Sequence, residues 1–146
     1  EHEVPDPRLL PTVVRFLERL EDTDAAGTDG LHLAFVIRLL SLTGHAPNLE
    51  VCGQCGIPAP AGKAALFAPR FGAIVCRACG GGPHKLGGPL RMAMIRAGTR
   101  AWDEPDPDLV AAGLAPIEEH LSHLLSRPLA GGELVTQVRA VTRRNE

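Results

Sequence analysis

Tyrosine is missing from this 146-residue chain, and four Phe and one Trp bring its aromatic content to only 3%. That excludes a self-contained platform of stacked rings for single-stranded nucleic acid. No apolar run approaches the roughly 20 residues a transmembrane helix needs. The sharpest absence is one of charge: between Val51 and Trp102 there is not one Asp or Glu. A zinc hydrolase or deaminase would need an open coordination position and a nearby Glu, so this stretch argues against both. Gly80-Gly81-Gly82 lacks the Lys-Ser/Thr of a phosphate-cradling loop and reads as linker. Internal repeats are absent too, and 45% hydrophobic residues indicate one globular unit with a modest core.

What is present centres on four cysteines, the whole complement of the chain. Cys52 and Cys55 form one C-x-x-C pair, Cys76 and Cys79 another, each followed by a glycine, Gly56 and Gly80. A C-x-x-C turn converges two sulfurs, and the glycine lets backbone N–H groups turn toward thiolates. Two pairs about 20 residues apart suit one tetrahedral Zn²⁺, and four protein ligands leave no position for chemistry, which makes the metal structural. Iron is an alternative, since four thiolates suit both metals. Disulfides would fit a secreted chain, but no signal peptide is apparent, and a thioredoxin-like pair would want a βαβ context that is absent around Cys52.

Net charge is −2, unevenly spread. Lys63, Arg70, Arg77, Lys85, Arg91, Arg96 and Arg100 all fall in the acid-free segment, while the acids gather before and after it. Such segregation is the footprint of a polyanion-binding face, with these seven residues as its candidate contacts; the alternative is ordinary solvated helix surface.

Along the chain, Asp6-Pro7 predicts the start of an amphipathic helix to about Glu21, with Leu9, Leu10, Val13, Val14, Phe16, Leu17 and Leu20 as apolar positions. Thr28 or Asp29 is expected to cap a second helix that is apolar nearly all round, hence central, and that ends at Gly44 before Pro47. Arg38 within it must pair, snorkel or face a polar site, and an internal salt bridge is the expectation. Two short apolar runs around Pro69-Arg70 predict a β-hairpin that returns the second cysteine pair to the first, with Phe67 and Phe71 packing the small unit. A flexible connector is expected through Gly88, then a helix from Pro89 to Trp102. Met92 and Met94 read as core filler. A short helix over Leu109–Ala112 precedes a longer one from Pro116, whose His120 and His123 are expected on the surface. A last helix runs from Glu133 to about Arg143, burying Leu134, Val135, Val138 and Val141.

The fold class that follows is mainly α: a helical bundle with an inserted four-cysteine zinc module containing a small β-hairpin. Residues 1–50 are expected to supply the first helices, 51–83 the module, and 84–146 the remaining helices of the same domain. Because the chain opens on Glu1 with EHEVPDP, it is expected to begin inside a longer protein.

The run Phe35, Arg38, Leu39, Leu40, Gly44, Pro47, Leu49, Cys52, Cys55 and Gly56 fits F-x-x-R-L-L-x-x-x-G-x-x-P-x-L-x-x-C-x-x-C-G, and Phe67 to Cys79 continues it as F-x-x-x-F-G-x-x-x-C-x-x-C. This combination resembles the bacterial recombination mediator family RecO, and Ile117 to Leu129 resembles its closing helical region. His45 stands where that family usually has an aromatic residue, and AGGEL after Leu129 replaces a more polar pattern. The resemblance implies a preceding OB-fold and a non-enzymatic role. It implies binding of single- and double-stranded DNA, strand annealing, and loading of RecA with the partner RecR on strands coated by single-stranded-DNA-binding protein, whose acidic, hydrophobic tail is a further partner. It also implies a cytoplasmic, nucleoid-associated site of action, with no membrane and no small-molecule substrate. The competing reading is a zinc-stabilised protein-interaction scaffold with no DNA contact of its own.

Overall fold

Helix and sheet are held to each other by one apolar core to which both contribute side chains. In a computed structural model, which describes residues 6–104 and 106–126, the elements run in the order α1 (Leu9–Glu21), α2 (Ala25–Leu42), β1 (Ala65–Ala68), β2 (Ala73–Ile74), β3 (His84–Leu86), α3 (Gly88–Ala97) and α4 (Leu114–Leu125). Short 3-10 turns at Pro69–Phe71, Arg77–Cys79 and Ala111–Gly113 punctuate them. The helix expected from Glu133 lies outside the described residues.

α2 is the spine. Asp24, not Thr28 or Asp29, caps it by accepting from the Gly27 N–H at 2.8 Å, so the helix gains a turn at its start. At its end Gly44, with φ of 78°, lets the His45 N–H reach back to the Leu40 carbonyl at 2.7 Å. At 18 residues α2 is longer than the sequence reading allowed, and by length and composition alone it would pass for a membrane span. Instead α1, α3 and α4 pack around it, and Leu33, Ala34, Ile37 and Leu40 are buried in the core.

α1 begins at Leu9, with the Asp6 carboxylate turned onto Arg8. Phe16 stacks on Phe35 of α2, ring centroids 4.0 Å apart, and Thr12 is buried. The apolar positions do not all face inward as the sequence suggests: Leu10, Val13, Val14 and Leu17 are exposed among the described residues.

The expected hairpin is present and has a third partner. β1 pairs antiparallel with β2 (Phe67 opposite Ile74) and with β3 (Ala65 opposite Leu86), giving the order β2-β1-β3. β3 occupies what the sequence suggested was flexible connector. Phe67, Ile74 and Leu86 from the sheet join Leu33, Ile37, Met94 and Ile117 from the helices in one core. Phe71 does not pack; it is 52% exposed, with the Arg70 guanidinium 5.0 Å from its ring centroid. α3 stops at Ala97, short of Trp102, and Gly98 follows it.

α4 meets the sheet through a histidine that the sequence placed on the surface. His120 is only 6% exposed, its Nδ1 lies 2.9 Å from the Pro69 carbonyl, and its ring meets Phe67 edge-on. Gly72, at φ 58°, makes room, because a Cβ there would come within 2.4 Å of His120 Cε1. Gly72→Ala is therefore expected to cost roughly 2–4 kcal/mol, combining left-handed strain with a clash in the core, and thermal unfolding would measure it. An unchanged melting temperature would mean that the His120 seat relaxes freely.

Candidate functional site

Two glycine-terminated knuckles build the cysteine cluster. In the first, the Gly56 N–H donates to the Cys52 carbonyl at 2.8 Å while Gly56 takes φ of 74°; in the second, the Cys79 N–H donates to the Cys76 carbonyl at 3.0 Å and Gly80 takes φ of 100°. The sheet then brings the knuckles together. β2 leads directly into Cys76, and the Gly53 N–H donates to the Ile74 carbonyl at 2.8 Å. All four Sγ atoms lie within 4.8 Å of one another, with Cys55 and Cys76 Sγ 3.8 Å apart. A tetrahedron with metal–sulfur distances of about 2.3 Å has sulfur edges of about 3.8 Å, whereas a disulfide needs about 2.05 Å. The spacing is that of ligands and not of bonded cystines.

The proton chemistry of the set fits a cation as well. The Cys76 N–H donates to Cys52 Sγ at 3.4 Å, and such backbone donors lower the Cys52 thiol to about 6, so it is a thiolate at neutral pH. Its neighbours pay for that charge: the Cys76 and Cys55 thiols, with burial, push Cys79 up to about 12. Negative charges on sulfurs this close repel one another, and a dication at their centre removes that repulsion. Cys52 is 3% exposed and packs with Ala68 and Val75, whereas Cys55 is exposed.

The seven candidate cations do not form one face. Arg77 and Lys85 line the same apolar groove beside the cluster, a cavity of about 500 Å³ whose walls include Ile57, Pro58, Leu66 and Val75. Lys63 is exposed one residue before this wall, and Arg70 is exposed in the turn that packs on α4. None of these four has a carboxylate partner among the described residues. Arg96 is spent on Asp106, 2.6 Å away, and Arg100 sits in a separate cavity with Arg8, Arg15 and Arg38.

Arg91 requires outright correction as a surface contact. It is 1% exposed, and its guanidinium donates to the carbonyls of Leu49 at 2.6 Å, Lys63 at 3.0 Å and Pro60. A cation is tolerated in the core here because all three acceptors are convergent backbone oxygens. It fastens α3 to both ends of the loop that carries the first knuckle. A second tie joins β3 to α4, where His84 Nε2 meets Glu119 Oε2 at 2.7 Å.

Comparison with known proteins adds to this geometry. The family described as Recombination protein O C terminal matches residues 1–95. Curated relatives titled DNA repair protein RecO include those of Rubrobacter xylanophilus, 37% identical over 75 residues (51% of this chain, 29% of the relative), and Pelobacter propionicus, 39% over 77 residues (53% and 30%). That of Geobacter sulfurreducens is 33% identical over 90 residues (62% and 34%). The chain thus spans about a third of the length of these relatives. No solved structure matches it significantly.

Proposed function

The chain belongs to the RecO C-terminal family, and we propose from that premise that it is the metal-stabilised part of a DNA-binding recombination mediator acting in recombinational DNA repair. Cys52, Cys55, Cys76 and Cys79 hold a structural Zn²⁺, and residues 51–83 work as an insert in a helical body formed by 1–50 and 84–146. Lys63, Arg70, Arg77 and Lys85 contact the phosphate backbone of single- or double-stranded DNA. Annealing of strands, loading of RecA, and association with RecR and single-stranded-DNA-binding protein belong to the same reading, as does action at the nucleoid. No catalytic step is assigned to the chain: its cluster offers four thiols and no carboxylate.

The carrying observation is the set of four convergent sulfurs with Arg77 and Lys85 in the wall of the adjoining groove, both exposed and without an ion pair among the described residues. Lys and Arg contacts of this type bind phosphate without reading sequence, and affinity falls steeply as salt rises. The double variant Arg77→Glu/Lys85→Glu, exposed at both positions, is expected to weaken single-strand binding by roughly 10–100-fold at low salt and to flatten the slope of log affinity against log salt by about 2. Fluorescence anisotropy across a salt series measures both quantities. Unchanged affinity and slope would move DNA binding away from the module.

The apolar groove favours one alternative, a scaffold in which Ile57, Leu66 and Val75 seat a protein segment. In that case the double variant retains DNA affinity, and Leu66→Asp abolishes partner binding instead.

A further inference from the structure

Arg8, Arg15, Arg38 and Arg100 line one open cavity of about 470 Å³ on the helical body, with Trp102 forming part of its wall. None of the lining residues belongs to 51–83, so the site is independent of the metal module and of the DNA reading given for it. Two of the four guanidiniums are answered by carboxylates: Arg8 by Asp6, Nε to Oδ1 at 2.9 Å, and Arg15 by Asp103 at 2.7 Å. The other two are not. Arg100 is exposed and has no ion pair among the described residues.

Arg38 is the more unusual. It rises from the apolar spine helix, where the sequence suggests an internal salt bridge, yet it has no ion pair among the described residues. Its Nη1 donates to the Gly98 carbonyl at 2.9 Å, and its Nε is buried with no hydrogen-bond partner among the described residues. Burial, and then the charges of Arg8 and Arg100, lower its affinity for the proton, against a smaller opposing pull from the Asp6 carboxylate. Gathering like charges around a part-buried guanidinium with a stranded donor costs energy in the free protein, and a bound anion would recover it.

We propose that this cavity is a phosphate-binding site, taking a phosphate group either from a nucleic acid strand or from a free phosphate or mononucleotide. Two positive charges left unanswered match a phosphate monoester dianion better than a single carboxylate. Guanidinium forks also suit tetrahedral oxyanions, to which they donate in pairs.

Isothermal titration of the full 146-residue chain with inorganic phosphate is the direct test, with a 5′-mononucleotide and a single-stranded oligonucleotide as competitors. Phosphate is expected to bind, and Arg100→Glu to weaken it by at least roughly tenfold, since a charge-assisted donor becomes a repulsive carboxylate. Arg38→Gln should do the same, and circular dichroism checks its fold; the exposed Arg100 variant keeps the test decisive if Arg38→Gln unfolds. Competition by the oligonucleotide identifies the strand as the source; competition by the mononucleotide alone identifies the small molecule. Arg77→Glu/Lys85→Glu should leave phosphate affinity unchanged, which separates failure of the module reading from failure here. Absence of phosphate binding by the folded chain, or full binding by Arg100→Glu, would overturn the assignment.

Discussion

Removing the metal, by chelation or by Cys52→Ser, is expected to unfold the module and to loosen the helical body with it. For a unit this small the metal contributes folding free energy on the order of 10 kcal/mol, because the ligands are not pre-arranged in the unfolded chain. From sequence, the cysteine segment looks separable, so that its loss would spare the helices. The packing indicates otherwise. Phe67, Ile74 and Leu86 lie on the three strands that align the knuckles, and they are also members of the helical core. Loss of the knuckles frees β2 and exposes Ile74, while Phe67 loses the sheet that holds it against His120. Hydrogen exchange after chelation should therefore show deprotection in β1–β3 and also in α4. Protection retained throughout α4 would show two independent units; an unchanged melting temperature in chelator would dispose of the structural metal altogether. Metal affinity should also fall with falling pH, because protons compete for the thiolates and Cys79 holds its proton most tightly.

The second large effect falls on Arg91. Replacement by Leu leaves the carbonyls of Leu49, Pro60 and Lys63 facing an apolar side chain in place of their shared donor, at an expected cost of about 3–5 kcal/mol. Arg91→Lys keeps the charge but has a point donor in place of a fork, and should recover only part of that loss. Denaturant unfolding of the metal-loaded protein would rank wild type above Lys above Leu. If Arg91 were instead a DNA contact, both variants would keep wild-type stability and lose affinity.

How much of this was legible beforehand depends on how local each signal is. The cysteine pairs, their glycines and the hairpin between them are written within about 30 residues, and the structure shows the four sulfurs together. The spine helix was equally plain, because an apolar run bounded by Gly44 and Pro47 needs no tertiary information. Arg91 was not legible as a core residue: its three acceptors stand 28, 31 and 42 positions away, and nothing in a sequence marks which carbonyls will converge. His120 failed for a related reason. Its partners, Pro69 and Phe67, lie about 50 residues upstream, and the one clue was a glycine, Gly72, whose need for space was invisible until the ring was set opposite it. Equal weight given to seven cations was the same error in electrostatic form. Composition places them in one segment, but only geometry separates Lys63, Arg77 and Lys85, without an ion pair among the described residues, from Arg96, bound to Asp106, and from Arg91 inside the fold.

The Arg91 seat carries an evolutionary corollary. Every oxygen it grips is main-chain, so the side chains at Leu49, Pro60 and Lys63 are under no obligation from this contact, provided the path of the loop is kept. Pro60 and Lys63, both exposed, can drift while the guanidinium stays fixed, whereas Leu49 is held by its own place in the core. A search for the same fastening in distant relatives should look for a lone invariant arginine early in the helix after the second knuckle, and should ignore what stands opposite it.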